Sequence, residues 1–382
     1  MIAVGLISGT SLDGIDAALL RIKPTTQAYE FEVRAFATIA YEPQLARRLR
    51  DVLPPTVAGV EAIARLHRDV GVAFADAAAS VAGHHRIDYI ASHGQTIFHA
   101  GEDTVTLQIG DPFRIRERLH ATVIYDFRSA DCAAGGHGAP LVPYVDAVLL
   151  GSQNENRVAV NIGGIANLTF LPAGAKAQAA LAFDSGPGNM LIDLFVRERT
   201  SQAASYDKDG ERAARGRPDE ALLVQMLADP YFAASAPKST GHERFGTVFM
   251  RRYQDELAVL TVEDGAATLT ELTVRSLVDA VRRIAPRGSR ILISGGGAHN
   301  RHLVGRLRER LDGYHVETSQ SMNVPVDAKE ALAFAVLGYE TLRGREAGLP
   351  RVTGARHPAL LGAIAPHNLP ALLQKVQNEC RK

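Results

Sequence analysis

The stretch IAVGLISGTSLDGIDAALLRI, residues 2–22, decides the fold. A β-rich apolar run enters a turn of glycines and small polar residues and a second apolar run leaves it, as in a β-hairpin. The stretch RVAVNIGGIANLTFLP, residues 157–172, has the same grammar. Two lobes that each open with a hairpin are therefore expected: 1–150 as the N-terminal lobe and 151–382 as the C-terminal one, whose last segment can pack back on the first. A third stretch, RILISGGGAHN at 290–300, is followed by Leu303, Leu307 and Leu311 at the four-residue spacing of one helix face. It reads as strand, glycine turn, helix.

Between the hairpins, residues 59–81 read as a helix, and 89–91, 105–109 and 122–125 as strands. Farther on, 269–284 and 329–342 carry helical apolar periodicity. This alternation is that of an α/β protein, and 382 residues suit two domains. Residues 205–219, with mixed charges, Gly210, Gly216 and Pro218, are the candidate mobile surface segment, with a plain solvated loop as the alternative. The 42 Lys and Arg balance the 42 Asp and Glu, so no overall field draws in nucleic acid or an anionic membrane. Two cysteines are too few for a disulfide framework or a cysteine zinc site and fit a reducing compartment. With neither a basic leader nor an apolar run of membrane-spanning length, a cytoplasmic location is expected.

The first turn runs Gly9-Thr10-Ser11-Leu12-Asp13-Gly14-Ile15-Asp16. Its glycines let backbone N–H groups converge on phosphate oxygens, the Thr10 and Ser11 hydroxyls add donors, and Asp13 can hold a hydrated Mg2+ ion. A plain hairpin turn is the alternative. Gly295, Gly296 and Gly297 stand between a strand and a helix start, where a phosphate or a flat ring can approach bare backbone, although a tight connection needs the same residues. Asp184 leaves an apolar run for a Gly-Pro-Gly turn, a place for a general base or for a helix cap. Glu330 opens a helix and either complements its dipole or accepts sugar hydroxyls. The run 92–96, SHGQT, follows a strand and offers donors and acceptors for a polyhydroxyl ligand or for a polar loop. Arg128 can fork onto a substrate carboxylate or bridge to Asp126 or Asp131. The thirteen histidines show no metal-ligand spacing, and no G-x-S-x-G occurs.

Together, GLISGTSLDGID (5–16), SHGQT (92–96), DFRSADCAAGGHGAPLVP (126–143), NIGGIAN (161–167), FDSGPGNMLID (183–193), PKSTGHERF (237–245), GGGAHN (295–300), EALAFA (330–335) and TGA (353–355) resemble the anhydro-N-acetylmuramic acid kinases, in order over nearly the whole chain. The resemblance implies the two-lobed actin-like ATPase fold of sugar kinases, with ATP in a central interlobe cleft. It also implies conversion of 1,6-anhydro-N-acetylmuramic acid, ATP and water to N-acetylmuramic acid 6-phosphate and ADP during peptidoglycan recycling.

Carried onto this chain, the resemblance makes Asp184 the catalytic base and Glu330 a substrate-binding acid, with Thr96 and Arg128 in the sugar pocket. The expected nucleotide set is Gly9, Thr10, Ser11, Leu12, Asp13, Gly14, Ile15, Asp16, Asn161, Gly163, Gly164, Gly186, Gly188, Asn189, Gly295, Gly296, Gly297 and Asn300, with Mg2+ held through water by Asp13. A homodimer is the family's common assembly. The chain departs from the family pattern at His137, where Gln is usual, at His242, where Arg is usual, and near Asp146, where a histidine is usual. The rival readings are a kinase for another anhydrosugar such as levoglucosan and a catalytically silent nucleotide or sugar sensor.

Overall fold

The computed structural model describes residues 1–9, 12, 14–24, 29–236 and 238–380. The chain divides into two compact units, Met1–Leu149 with Ala328–Lys382, and Leu150–Asp327. Strands β1 (Ile2–Ser8), β2 (Ile15–Pro24), β3 (Tyr29–Ile39), β4 (Tyr89–Ala100), β5 (Val105–Ile109) and β6 (Thr122–Tyr125) belong to the first. Its sheet runs Ala363–Ala365, β6, β4, β1, β2, β3, with β5 pairing β4 off this path. The second unit contains β7 (Arg157–Ile162), β8 (Ile165–Leu171), β9 (Leu181–Pro187), β10 (Arg290–Ser294) and β11 (His315–Thr318), in the order β11, β10, β7, β8, β9.

The two sheets share a plan. In each, an antiparallel meander (β1-β2-β3, β7-β8-β9) is extended from its first strand by parallel strands (β4 and β6, β10 and β11). This repeated α/β plan agrees with the actin-like fold that the family resemblance implies.

Period-two alternation fixes how β1 is used. Val4 and Leu6 join Val70 and Phe74 of the helix Val60–Ala82 in one core, with Ile90 of β4. Gly5 turns to the other face and meets the helix Lys329–Leu342, where an added methyl would overlap the Ala331 carbonyl oxygen. Tyr89 on β4 ties the same helix by donating its hydroxyl to the Ala335 carbonyl at 2.7 Å. In the second unit the helix Val262–Ile284 buries Leu269, Leu272, Leu277 and Val281 with Val158, Val160 and Leu168 of the sheet. That helix starts before residue 269 because Thr261 caps it, accepting from the Asp264 N–H at 3.0 Å, and because small residues fill its first turns. A methyl on one of them, Gly265, would overlap the Phe195 ring.

The structure departs from the expected elements in two places. The SHGQT run is part of β4 and not a loop beyond a three-residue strand. At Gly94 (φ 77°) the strand exchanges one partner: its parallel pairing with β6 ends at Ser92 and antiparallel pairing with β5 begins at Gln95, while β1 stays paired through Ser8 and Gln95. Strand β3 went unread, although YEFEVRAFATI alternates, because no glycine turn flags it. Residues 205–219 carry two short 3-10 turns around buried Asp207, whose carboxylate accepts from the Arg212 and Ala213 N–H groups at 2.9 and 3.0 Å. Among the described residues no helix is long and apolar enough to cross a membrane.

Gly5→Ala forces β1 away from the helix Lys329–Leu342, because the obstacle is backbone and cannot rotate aside. The expected loss is about 3 kcal/mol or more of unfolding free energy, read from urea titration of the purified variant.

Candidate functional site

In the second unit, three glycine turns are laced together. The β7–β8 turn holds Gly163 and Gly164, and their carbonyls accept from the N–H groups of Asn189 and Gly188, each at 2.8 Å. Asn189 also donates from Nδ2 to the Ile162 carbonyl at 3.3 Å. Gly188 has no room for a methyl against the Gly163 oxygen. The turn after β10 closes on the same place: a Cβ on Gly295 (φ 78°) would stand 2.7 Å from Asn161 Oδ1, and one on Gly297 would overlap Ile162. Gly186 (φ 145°) lies against the Phe232 ring. Thus Asn161, Gly163, Gly164, Gly188, Asn189, Gly295 and Gly297 are brought together within one unit. Asn300 sits one step behind, with Oδ1 capping the next helix by accepting from the Leu303 N–H at 2.9 Å. Gly296 lies beside Asn189, 3.8 Å from its Nδ2 to a built Cβ.

Asp184 lies inside β9, and not at its end as the Gly-Pro-Gly turn suggested, since the strand continues to Pro187. It pairs with Asn167 at a register shift, a local bulge that re-aims a side chain. The segment after residue 237 secures it: the Asp184 N–H donates to the Lys238 carbonyl at 3.1 Å, and the Thr240 N–H donates to Oδ2 at 2.9 Å. The Tyr231 hydroxyl donates to the Asp184 carbonyl at 2.8 Å. Oδ1 accepts from none of the described residues. Lys238 does not ion-pair with Asp184; its Nζ donates to the Tyr231 carbonyl at 2.8 Å and lies over the Tyr231 ring. Burial therefore pushes the Asp184 carboxyl up to about 6, with Glu243 adding to the rise and the Thr240 N–H and Lys238 opposing it. Tyr231, Lys238 and Thr240 were missed as site residues, although PKSTG was visible as a motif.

In the first unit, the β1–β2 turn is pinned from both sides. Ser8 Oγ donates to the Gly14 carbonyl at 2.7 Å and Gln95 Nε2 to the Gly9 carbonyl at 3.2 Å. Leu12 (φ 58°) and Ile15 bury their side chains in the core, so only their backbone can serve a ligand. Thr10, Ser11 and Asp13 lie outside the described residues. Asp16 Oδ1 accepts from Thr38 Oγ1 at 2.6 Å.

Glu330 begins the helix Lys329–Leu342 on the same unit. Its carboxyl is raised by burial and then by the charge of Asp16, against Lys329 and Arg128. The neighbouring Lys329 pairs with Asp146 at 2.8 Å, both nearly buried. Thr96 Oγ1 accepts from Gln108 Nε2 at 3.2 Å.

Arg128 makes neither of the bridges weighed for it. Asp126 Oδ1 accepts from the Ser129 N–H and hydroxyl, while Asp131 accepts from the Gly138 N–H and the Thr353 hydroxyl. Arg128 instead donates Nε–H to His93 Nε2 at 2.9 Å and Nη1–H to the Gly138 carbonyl at 2.7 Å. Burial lowers its guanidinium to about 10, still charged at neutral pH, with Glu330 the largest opposing influence. His137 and His242, two of the three departures, are exposed.

Among the described residues no group of three or more His, Cys, Asp or Glu side chains could hold a metal by itself. A Mg2+ ion shared with phosphates needs only one or two carboxylates, and Asp16 beside Glu330 has that donor chemistry.

The family profile described as anhydro-N-acetylmuramic acid kinase matches residues 1–367. A curated anhydro-N-acetylmuramic acid kinase of Caldanaerobacter subterraneus subsp. tengcongensis is 40% identical over 382 residues, covering 95% of this chain and 96% of that one. One from Xanthomonas axonopodis pv. citri is 44% identical over 372 residues, covering 95% and 97%. Among solved structures, the activator of the 2-hydroxyisocaproyl-CoA dehydratase from Clostridium difficile with bound ADPNP aligns with a TM-score of 0.42 at 13% identity, covering 88% of this chain and 93% of that one.

The raised pKa of Asp184 makes a stability prediction. A folded-state value of about 6 against the ordinary 3.8 means that the folded protein holds the proton more tightly. Ionisation therefore costs stability, fully above the folded value and not at all below the ordinary one. Asp184→Asn should raise the unfolding free energy by up to about 3 kcal/mol at about pH 8, with the gain fading towards about pH 4. Paired denaturant titrations of both proteins across that range check it.

Proposed function

The chain belongs to the anhydro-N-acetylmuramic acid kinase family, and on that footing we propose how its residues divide the work of an ATP-dependent kinase. The reaction opens 1,6-anhydro-N-acetylmuramic acid with water, transfers the γ-phosphoryl group to O6, and yields N-acetylmuramic acid 6-phosphate and ADP in cell-wall recycling. Asp184 is the base. Oδ1 takes a proton from water as the water oxygen bonds to the anomeric carbon. The bond from that carbon to O6 breaks, and O6 carries its electron pair to the γ-phosphorus while ADP leaves; the proton on Asp184 returns to solvent.

Glu330, Thr96 and Arg128 bind the sugar, with Arg128 facing the lactyl carboxylate. The glycine turns at Gly9–Asp16, Asn161–Gly164, Gly186–Asn189 and Gly295–Asn300 hold ATP through backbone groups. Bound Mg2+ would neutralise phosphate charge, with Asp13 and Asp16 as the carboxylates able to hold it through water. Cytoplasmic location and assembly as a homodimer are part of the same reading.

The observation that carries this reading is the Asp184 carboxylate. One oxygen is fixed by the Thr240 N–H, the other is open, and the group is poised near neutrality. Incubation with ATP, Mg2+ and a panel of anhydrosugars, followed by mass detection, should add one water and one phosphoryl group to the muramic sugar. Phosphorylation of levoglucosan alone would replace the substrate, and no product from any sugar would remove the enzyme reading.

Asp184→Asn should abolish this turnover while ATP affinity, measured by calorimetry, stays within about twofold. In the wild type kcat/KM should fall as pH drops through about 6, since the protonated carboxyl cannot accept the water proton. An acid limb down at the ordinary carboxylate range would overturn the base assignment.

A further inference from the structure

We infer that His93 is the positioning residue that sets the guanidinium of Arg128 and keeps its charge available to an anionic substrate group. The inference rests on the reading of Arg128 as the partner of the sugar's carboxylate and adds how that partner is aimed.

His93 is 4% exposed, and its ring packs on Phe334 with centroids 4.6 Å apart. Arg128 Nε can only donate, so His93 Nε2, 2.9 Å away, must be the bare nitrogen. The proton then belongs to Nδ1, which lies 2.9 Å from the Gly94 carbonyl and donates to it. This fixes both the tautomer and the ring plane. The positive φ of Gly94, 77°, is part of the same corner in β4.

Two edges of the guanidinium are thus used by the protein, Nε on His93 and Nη1 on the Gly138 carbonyl. Among the described residues Nη2 has no partner, and no carboxylate lies within ion-pair distance of the group. A neutral imidazole orients an arginine without cancelling its charge, whereas an aspartate or glutamate in the same place would do both. Burial and the neighbouring arginine hold the His93 imidazole well below its ordinary range, so it stays a neutral acceptor.

The test compares His93→Leu, His93→Gln and Arg128→Ala. His93→Leu should raise KM for 1,6-anhydro-N-acetylmuramic acid about 10- to 100-fold, as for a lost hydrogen bond to a charged group, with kcat and the KM for ATP nearly unchanged. His93→Gln retains a neutral acceptor oxygen and should recover most of the affinity. An unchanged KM in His93→Leu, or an equal loss in both His93 variants, would overturn the inference.

Arg128→Ala separates this from the reading beneath it. If that variant binds the muramic sugar as well as wild type does, Arg128 is not the carboxylate partner, and positioning is then judged from the Arg128 Nε–H proton alone. Slow exchange of that proton in wild type and His93→Gln, with fast exchange in His93→Leu, would uphold the positioning role. Equal exchange in all three would end it.

Discussion

The first unit depends on one backbone approach. At Gly5, β1 and the helix Lys329–Leu342 come together with no space for a methyl group. That contact docks the returning segment from Ala328 onwards on the first sheet. The docking places Glu330 where the charges of Asp16 and Arg128 both reach it. The buried pair of Lys329 with Asp146 fixes the same helix start. Such a pair is weak evidence for net stability but strongly specifies geometry, because either partner alone would be an uncompensated buried charge.

Two kinds of buried charge can be told apart here. Glu271, on the helix Val262–Ile284, is surrounded by Arg275, Arg306 and Arg310. Despite its burial its carboxyl is held below the ordinary range. Asp184 is also desolvated but has, among the described residues, one backbone N–H and no ion-paired cation, and its carboxyl is pushed up instead. Glu271 is satisfied and structural; Asp184 is left able to change its proton at neutral pH. Arg128 is the cationic counterpart, a desolvated guanidinium aimed by neutral acceptors, with no carboxylate bonded to it among the described residues. Both arrangements cost folding stability at the positions assigned to the chemistry.

Much of the fold was legible because period-two and period-3.6 patterns are local. The hairpins from Ile2 and Arg157, the strand from Arg290, the strands Val105–Ile109 and Thr122–Tyr125, and the helix Lys329–Leu342 follow from side-chain spacing and glycine turns. Reading failed where a strand is polar or lacks a flag. Residues 92–96 are strand because Gly94 turns β4 onto a new partner, and their composition alone says loop. The start of the helix Val262–Ile284 was hidden because glycine and alanine carry no apolar period, though Gly265 lies against the Phe195 ring.

The sequence by itself pointed to two hairpin-led α/β halves and singled out Asp184, Arg128, Glu330 and the glycine turns as candidates for chemistry. Tertiary structure alone decided what each could do. The open oxygen of Asp184, the neutral imidazole behind Arg128 and the lacing of Gly163 and Gly164 to Gly188 and Asn189 all join residues distant along the chain. The reason is physical: periodicity is set by neighbours a few residues apart, whereas desolvation and hydrogen-bond partnership are set by whatever folding brings into contact.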